Sequence, residues 1–293
     1  MSELQVFLND RLVPRDQAVV SVWDSGFQSG DAVYEGIRVY DGKVFRLKEH
    51  VERLFRCAHA IGIEMTKTRE EVIEAVLSTV RENHFTNNVH IRMTVSRGDK
   101  PKTGMDPRLA NRVPPTFVVI AEPKEPTFPA SGIRIITSSV RRTPAQCLDS
   151  KLHTCNQLGQ ILAKAEANHA NADEALMLDV NGFVAETNSA NFFIVRENKV
   201  LTSTKDACLP GITRGFVIDL AKQAGYDTRE TNISLGEVYM ADEAFVVGTI
   251  CEVVPVLEVD GRIIGDGSPG PVTLRLREAY IDVAKSAGVP ILI

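Results

Sequence analysis

Several things are scarce in this 293-residue chain, and each scarcity removes a class of function. Cysteine is one. The five residues at 57, 147, 155, 208 and 251 are odd in number, scattered and without a CxxC pair. A chain this long needs no covalent staples, so they read as reduced structural thiols. The six histidines show no HExxH or other close ligand spacing, which argues against a metal site. Concentrated positive charge is missing as well. Against 38 acidic residues stand 33 basic ones, the net charge is −5, and no basic block occurs. A nucleic-acid partner is therefore not expected. No apolar run approaches the roughly 20 residues that a membrane span requires. The opening MSELQVFLND has no signal-peptide core, so the expectation is a soluble, cytoplasmic protein. GxSxG, GxxxxGK[ST] and GxGxxG are absent too, which removes the commonest hydrolase, kinase and dehydrogenase readings.

What remains is an ordinary globular composition, 44% hydrophobic and 24% charged. At this length one core nears its practical limit, so two lobes are expected. Residues 4–14 alternate around an Asn-Asp turn as a ribbon does, and 37–47 form a second ribbon on Asp41-Gly42. Helical spacing runs over 47–62 (Leu47, Val51, Leu54, Ala58) and again over 69–84. Strand-like runs follow at 89–95 and 116–122. Between them lies the polar loop SRGDKPKTGMDPR (96–108), open to a functional or a purely connecting role. Three prolines in PKEPTFPA (123–130) mark the linker. The expected domains are thus 1–122 and 132–293, joined by 123–131.

The second part begins with a strand at 132–140 and continues with a helix expected at 154–168. A hairpin on Asn181-Gly182 (174–186), strands at 191–198 and 241–249, and a ribbon on Asp260-Gly261 (256–265) follow. Further helices are expected at 213–224 and 271–287. The pattern is α+β, rich in hairpins and without the strict βαβ alternation of a doubly wound sheet.

Four clusters concentrate chemistry in this second part: DSKLHTCN (149–156), VAETNSAN (184–191), LPGITR (209–214) and VVGTICEVVPV (246–256). In LPGITR a Pro-Gly turn leads into a helix, whose N–H groups at Ile212 and Thr213 can hold a phosphate. The alternative is that Thr213 caps its own helix. Lys151 taken alone is either a solvated charge or, if buried, a Schiff-base nucleophile. Glu186 alone reads as a surface carboxylate.

Together, and in this order, these clusters resemble the fold-type IV pyridoxal-phosphate enzymes. That group comprises branched-chain and D-amino-acid aminotransferases, (R)-amine transaminases and aminodeoxychorismate lyases. YEGIR (34–38), HVERL (50–54), Lys151, DEALMLDVNGFVAETNSANFF (173–193), LPGITR and ADEAFVVGTICEVVPV (241–256) carry the resemblance over essentially the whole chain. It implies a two-domain fold, with a small N-terminal α/β domain and a larger β-barrel-like one that binds pyridoxal 5'-phosphate. Lys151 would form the Schiff base and move the substrate Cα proton, while Glu186 would face the pyridine nitrogen. Arg53, Ile212, Thr213 and Thr249 would hold the phosphate. The family also implies a homodimer or larger assembly, with amino acids and 2-oxo acids as small-molecule partners.

The likeness is closest to the branched-chain aminotransferases. Tyr34, Gly36 and Arg38 of YEGIR match that subfamily, and HIR (90–92) resembles its Tyr-x-Arg. Arg92 would there recognise the distal carboxylate of glutamate or 2-oxoglutarate, with Thr249 and Ile250 also lining the substrate side. Two departures stand out: His90 replaces one expected tyrosine and Asn156 another. GDAVYE (30–35) is equally close to the D-amino-acid enzymes, although the 96–108 loop lacks their Arg-x-His pair. Nothing in that loop matches the lyases. The expected activity is transamination between branched-chain L-amino acids and 2-oxoglutarate, with D-amino-acid, (R)-amine or mixed activity as the alternative and a lyase or a non-catalytic cofactor-binding homologue behind it.

Overall fold

The computed structural model describes residues 4–110 and 113–292. The chain falls into two compact units that are not simple halves. Unit 1 holds the chain up to Glu125, Leu152–Asn156 and the stretch from Ala284 onward, whereas unit 2 holds Pro126–Lys151 and Gln157–Val283. The first boundary lies inside the proline-rich segment. Two further pieces of unit 1 come from within the expected second domain.

In unit 1, strands β1 (Gln5–Leu8) and β2 (Arg11–Pro14) form the first hairpin, followed by the short α1 (Ser25–Ser29). β3 (Ala32–Tyr40) is longer than the 37–47 ribbon alone implies, and its partner across the Asp41-Gly42 turn is only β4 (Lys43–Val44). Both turn residues have positive φ, a conformation open to Asp and free for Gly. Helices α2 (Leu47–Ala60) and α3 (Arg69–Glu82) come next, then β5 (Val89–Ser96) and β6 (Thr116–Pro123). The seven-stranded sheet runs from Val289–Pro290 through β4, β3, β5, β6 and β1 to β2.

Period-2 alternation sorts β3 into two faces. Val33, Ile37 and Val39 lie with Val95, Ile91 and Val89 of β5 on the face that packs against Leu47, Val51, Leu54, Val72 and Val76 of the helices. Full burial of a side chain such as Leu54 contributes about 1.5–3 kcal/mol, enough to fix this register. A capping box between Thr68 and Glu71 starts α3.

Unit 2 carries β7 (Ile133–Thr137), α4 (Leu158–His169), β8 (Glu174–Leu178), β9 (Val184–Thr187), β10 (Asn191–Arg196) and β11 (Lys199–Thr202). It continues with α5 (Ile212–Gln223), β12 (Asp227–Glu230), α6 (Leu235–Tyr239), β13 (Glu243–Gly248), β14 (Glu252–Val259), β15 (Arg262–Ile263) and α7 (Pro271–Ser286), whose last turn belongs to unit 1. The nine-stranded sheet orders as β12-β11-β10-β13-β14-β7-β8-β9, with β15 on β14. β7 lies parallel to both β14 and β8, pairings that hairpin logic does not anticipate.

β8 shows why this sheet is buried on both sides. Leu176 and Leu178 enter one core, while Ala175 and Met177 enter another beneath Ala163 and Ala167 of α4. α4 begins four residues later than the 154–168 expectation. Residues 152–156 are instead extended along the start of β3, through Tyr34 N to His153 O (3.0 Å) and Cys155 N to Ala32 O (2.8 Å). Those tertiary bonds outweigh local helix propensity. Among the described residues no helix is long and apolar enough to cross a membrane, and no cluster of potential metal ligands occurs.

Candidate active site

The site residues read from the sequence fall into two groups. Lys151, Glu186, Ile212, Thr213, Thr249 and Ile250 belong to unit 2, and Tyr34, Gly36, Arg38, Arg53, His90 and Arg92 to unit 1.

In unit 2, Glu186 lies on β9, every residue of which is buried. A tight turn follows, closed by Thr187 N to Ala190 O (2.8 Å) and Ala190 N to Thr187 Oγ1 (3.0 Å). The turn delivers Asn191 at the head of β10. The Glu186 carboxylate accepts from Asn191 Nδ2 at 3.0 Å and from Leu209 N at 3.2 Å to each oxygen, and forms an ion pair with Arg142 Nη2 at 2.7 Å. Burial pushes this carboxyl up to about 7, against the pull of Arg142 and the Leu209 N–H. It can therefore exchange a proton near neutral pH.

Asn191 also fixes the LPG turn. Its Nδ2 donates to Leu209 O at 3.0 Å, and a Cβ on residue 211 would sit 2.1 Å from its Oδ1. Only glycine fits there. Gly211 is the N-cap of α5 and offers no side-chain hydrogen bond, while Thr213 lies inside the helix. Thr213 therefore does not cap its own helix. The first N–H groups of α5 keep the directed, partly positive character that anions seek.

Lys151 is 40% exposed, with Nζ 3.3 Å from Asp149 Oδ1, an oxygen that also accepts Lys151 N at 3.0 Å. Asp149 thus fixes both ends of the lysine. Thr249 and Ile250 are half-buried in the turn between β13 and β14. A Cβ on Gly248 would meet Cys251 Sγ at 3.1 Å and Ala190 Cβ at 3.6 Å, so this turn packs beside the one after Glu186.

In unit 1, Glu35 is fully buried on the helix-facing side of β3. Arg53 of α2 grips it with Nε to Oε1 (2.7 Å) and Nη2 to Oε2 (2.8 Å). His50 Nδ1 lies 2.7 Å from Oε2, and His153 Nδ1 lies 3.4 Å from Oε1. Burial alone would raise Glu35, but the Arg53 charge and hydrogen bonds, with His153, hold it well below the usual carboxylate range. His153 is kept below the ordinary histidine range by burial.

The opposite face of β3 carries Tyr34, Gly36 and Arg38, which lie across from Thr94, Arg92 and His90 of β5. The Arg92 guanidinium stacks on the Tyr34 ring at 3.5 Å and contacts Thr94 Oγ1 and Cys155 Sγ, with no acidic partner among the described residues. His90 fills the space beside Gly36, where an added Cβ would lie 3.2 Å from its Nε2. Burial, helped by Lys124, Arg92 and Arg38, lowers His90 to about 4, so it is neutral at physiological pH. Arg38 is 1% exposed and donates to Asn88 Oδ1 at 3.2 Å, deeper than an arginine at a pocket rim. His153 links the two faces, its ring 4.0 Å from that of Tyr34. Asn156 is exposed at the end of the extended segment.

In the 96–108 loop, Lys100 Nζ donates to Gly104 O at 2.6 Å, and the loop walls a cavity of about 180 Å³ next to Ser25 and Asp31. Arg97 there is pinned by both oxygens of Asp31.

Arg142, Asp149, Asn191, Glu35, His50 and His153 acquire roles only in the folded chain. All but Arg142 stand inside the motifs named above. Arg142, the second of an Arg-Arg pair, carries no local signal.

Residues 32–259 match the family model of amino-transferase class IV. "Branched-chain-amino-acid aminotransferase-like protein 2" of Arabidopsis thaliana is 46% identical over 99% of this chain and 52% of its own length. The chain thus spans about half the length of that relative. A D-alanine aminotransferase of Listeria monocytogenes is 33% identical over 95% of this chain and 96% of its own. Among solved structures, the branched-chain aminotransferase of the thermophilic archaeon Thermoproteus uzoniensis, with norvaline, superposes with a TM-score of 0.92. It is 35% identical, over 97% of this chain and 96% of that one. The sheets, the buried carboxylate on β9 and the uncapped start of α5 are thus found in a chain that belongs to the class IV aminotransferases.

Proposed function

We propose that the protein is a pyridoxal-phosphate-dependent transaminase that moves an amino group between branched-chain L-amino acids and 2-oxoglutarate. The observation that carries this reading is Glu186: a buried carboxylate, held by the Asn191 amide, the Leu209 N–H and an ion pair with Arg142, and able to exchange a proton near neutrality. Such a group suits a pyridine nitrogen, and the start of α5 suits a phosphate. When bound, the cofactor supplies an electron sink conjugated to the substrate Cα.

Each residue then has a distinct task. Glu186 holds the proton at the pyridine nitrogen. Lys151 would hold the cofactor, and its amine would move the proton at substrate Cα. The N–H groups of Ile212 and Thr213, the Thr249 hydroxyl and Arg53 bind the phosphate. On the substrate side, Tyr34 and Gly36 shape the aliphatic pocket together with Ile250. Arg92, lacking an acidic partner among the described residues, pairs with the distal carboxylate of glutamate. A neutral His90 offers a hydrogen bond, not a charge, to an α-carboxylate, and the buried Arg38 lies beside it on the same face. The protein is expected to work as a homodimer in the cytoplasm.

A second reading, D-amino-acid or (R)-amine transamination, is favoured by the 33% identity to the D-alanine enzyme and by the replacements at His90 and Asn156. The test is the half-reaction of the yellow holoenzyme. L-Leucine should bleach it and 2-oxoglutarate should restore the colour with release of glutamate. Bleaching by D-alanine or (R)-1-phenylethylamine alone would overturn the branched-chain reading.

A further inference from the structure

YEGIR and HVERL contain two buried titratable residues that the proposed chemistry leaves without a task, Glu35 and His50. The structure brings both to one atom group, the carboxylate of Glu35, together with Arg53 and His153. An ionic cluster inside an otherwise apolar sheet–helix core is costly, because each charge must be desolvated. Replacing it with hydrocarbon would be no loss to packing, since Val33, Ile37, Val51 and Leu54 already build the core on this face. Its presence calls for a reason beyond stability.

Geometry supplies one. Arg53 presents two of its three guanidinium nitrogens, Nε and Nη2, to the two oxygens of Glu35, which fixes the plane of the fork and leaves it no rotational freedom. The carboxylate is fixed in turn. His50 Nδ1 holds Oε2 from α2, one turn before Arg53, and His153 Nδ1 approaches Oε1 from the segment that follows Lys151. Meanwhile Arg53 keeps 14% of its side chain exposed while Glu35 keeps none. The carboxylate is the anchored end, and the arginine is the end with access to a ligand.

We propose that Glu35, braced by His50 and His153, is a positioning residue that aims Arg53 at the cofactor phosphate. This rests on the reading of Arg53 as a phosphate ligand. Glu35 also neutralises the guanidinium, so Arg53 acts on the phosphate as a directed donor rather than as a free unit charge. Bound phosphate would then depend on the fork's direction more than on its net charge.

Glu35→Asp separates those two contributions, because it keeps the charge and moves the carboxylate back by one methylene. Binding of pyridoxal 5'-phosphate and of pyridoxal, which lacks the phosphate, is measured by absorbance on the full-length apoprotein of each variant. Arg53→Ala should weaken pyridoxal phosphate about 100-fold, and Glu35→Asp about tenfold, the range of a lost or misaligned charge-assisted hydrogen bond. Pyridoxal binding should stay within about twofold of wild type in both. The double variant should be no weaker than Arg53→Ala alone, because the two residues act through one contact. His50→Gln, which loosens the brace while leaving the Arg53–Glu35 pair, gives a milder phosphate-selective loss and guards against misfolding of the Asp variant. If Arg53→Ala selectively loses pyridoxal phosphate while Glu35→Asp and His50→Gln bind it as wild type, the positioning role is wrong. The same holds if the variants lose pyridoxal and pyridoxal phosphate equally. If Arg53→Ala itself binds pyridoxal phosphate normally, the phosphate-ligand reading of Arg53 is what fails.

Discussion

Glu35 and Glu186 are both buried beside arginines, yet they are driven in opposite directions. Glu35 in unit 1 meets Arg53 through two parallel bonds and has two histidines at its other lone pairs, and it is held well below the carboxylate range. Glu186 in unit 2 meets Arg142 in an ion pair at 2.7 Å, and its hydrogen-bond donors are a neutral amide side chain and a backbone N–H. There burial wins, and the carboxyl rises to about 7. The difference shows what decides the outcome in a desolvated site. A bidentate cation fixes a permanent charge, whereas one cation contact among neutral donors leaves a proton free to come and go. The first arrangement builds a scaffold, and the second suits proton chemistry.

The sharpest way to break the comparison is Glu186→Gln. The variant should fold, yet transaminase turnover measured by glutamate formation should fall about 10²–10⁴-fold, the usual worth of a positioned acid–base group. A rate within a few-fold of wild type would remove Glu186 from the chemistry. Glu35→Gln should instead act on stability. It leaves the Arg53 charge buried with a neutral partner, a change that costs about 3–5 kcal/mol, read as a shift in the urea midpoint. Equal unfolding midpoints would mean that Glu35 carries no charge in the folded protein.

The two carboxyls also predict separate pH windows for the apoprotein. Glu186 is raised from 4.5 to about 7, so its contribution to stability is complete below 4.5. Between those values the unfolded chain has released its proton and the native state has not. Stability falls by roughly 3 kcal/mol as pH rises through that range. Glu35 is depressed, so its contribution is present above 4.5 and is lost only at lower pH. Urea titrations of wild type and Glu186→Gln should diverge between pH 4.5 and 7. Parallel curves would contradict the raised value. The smallest effect is expected on the far face of β3. Gly36→Ala brings a methyl to 3.2 Å from His90 Nε2, a contact relieved by a small ring shift at about 1 kcal/mol or less. A loss as large as that of Glu35→Gln would show that this face is packed as rigidly as the core.

Most elements were legible because their signals are local. The α2 stripe, the Asp-Gly turns and the 3.6-residue or 2-residue periods all act within a few positions. The start of α4 was not, because residues 152–156 are held extended by bonds to β3 more than 100 positions away in sequence. The site divides in the same way. Lys151, Glu186 and the α5 start stand in recognisable motifs. Arg142 does not, since it reaches Glu186 across 44 positions from an ordinary Arg-Arg pair. Glu35 and His50 stand inside YEGIR and HVERL but gave no signal of their own, because a bond between a strand and a helix 15 residues on leaves no periodic trace.

The division of the chain also bears on how it can be cut and recombined. It passes between the units four times, at 125/126, 151/152, 156/157 and 283/284. A fragment that stops at 125 would lack both the segment that edges β3 and the pair Val289–Pro290 that edges β4. Chimaeras assembled with one junction in the proline-rich linker would join mismatched partners at those edges. Productive shuffling would have to carry 152–156 and 284–293 along with the first 125 residues, so inheritance in this family should follow contact, not contiguity.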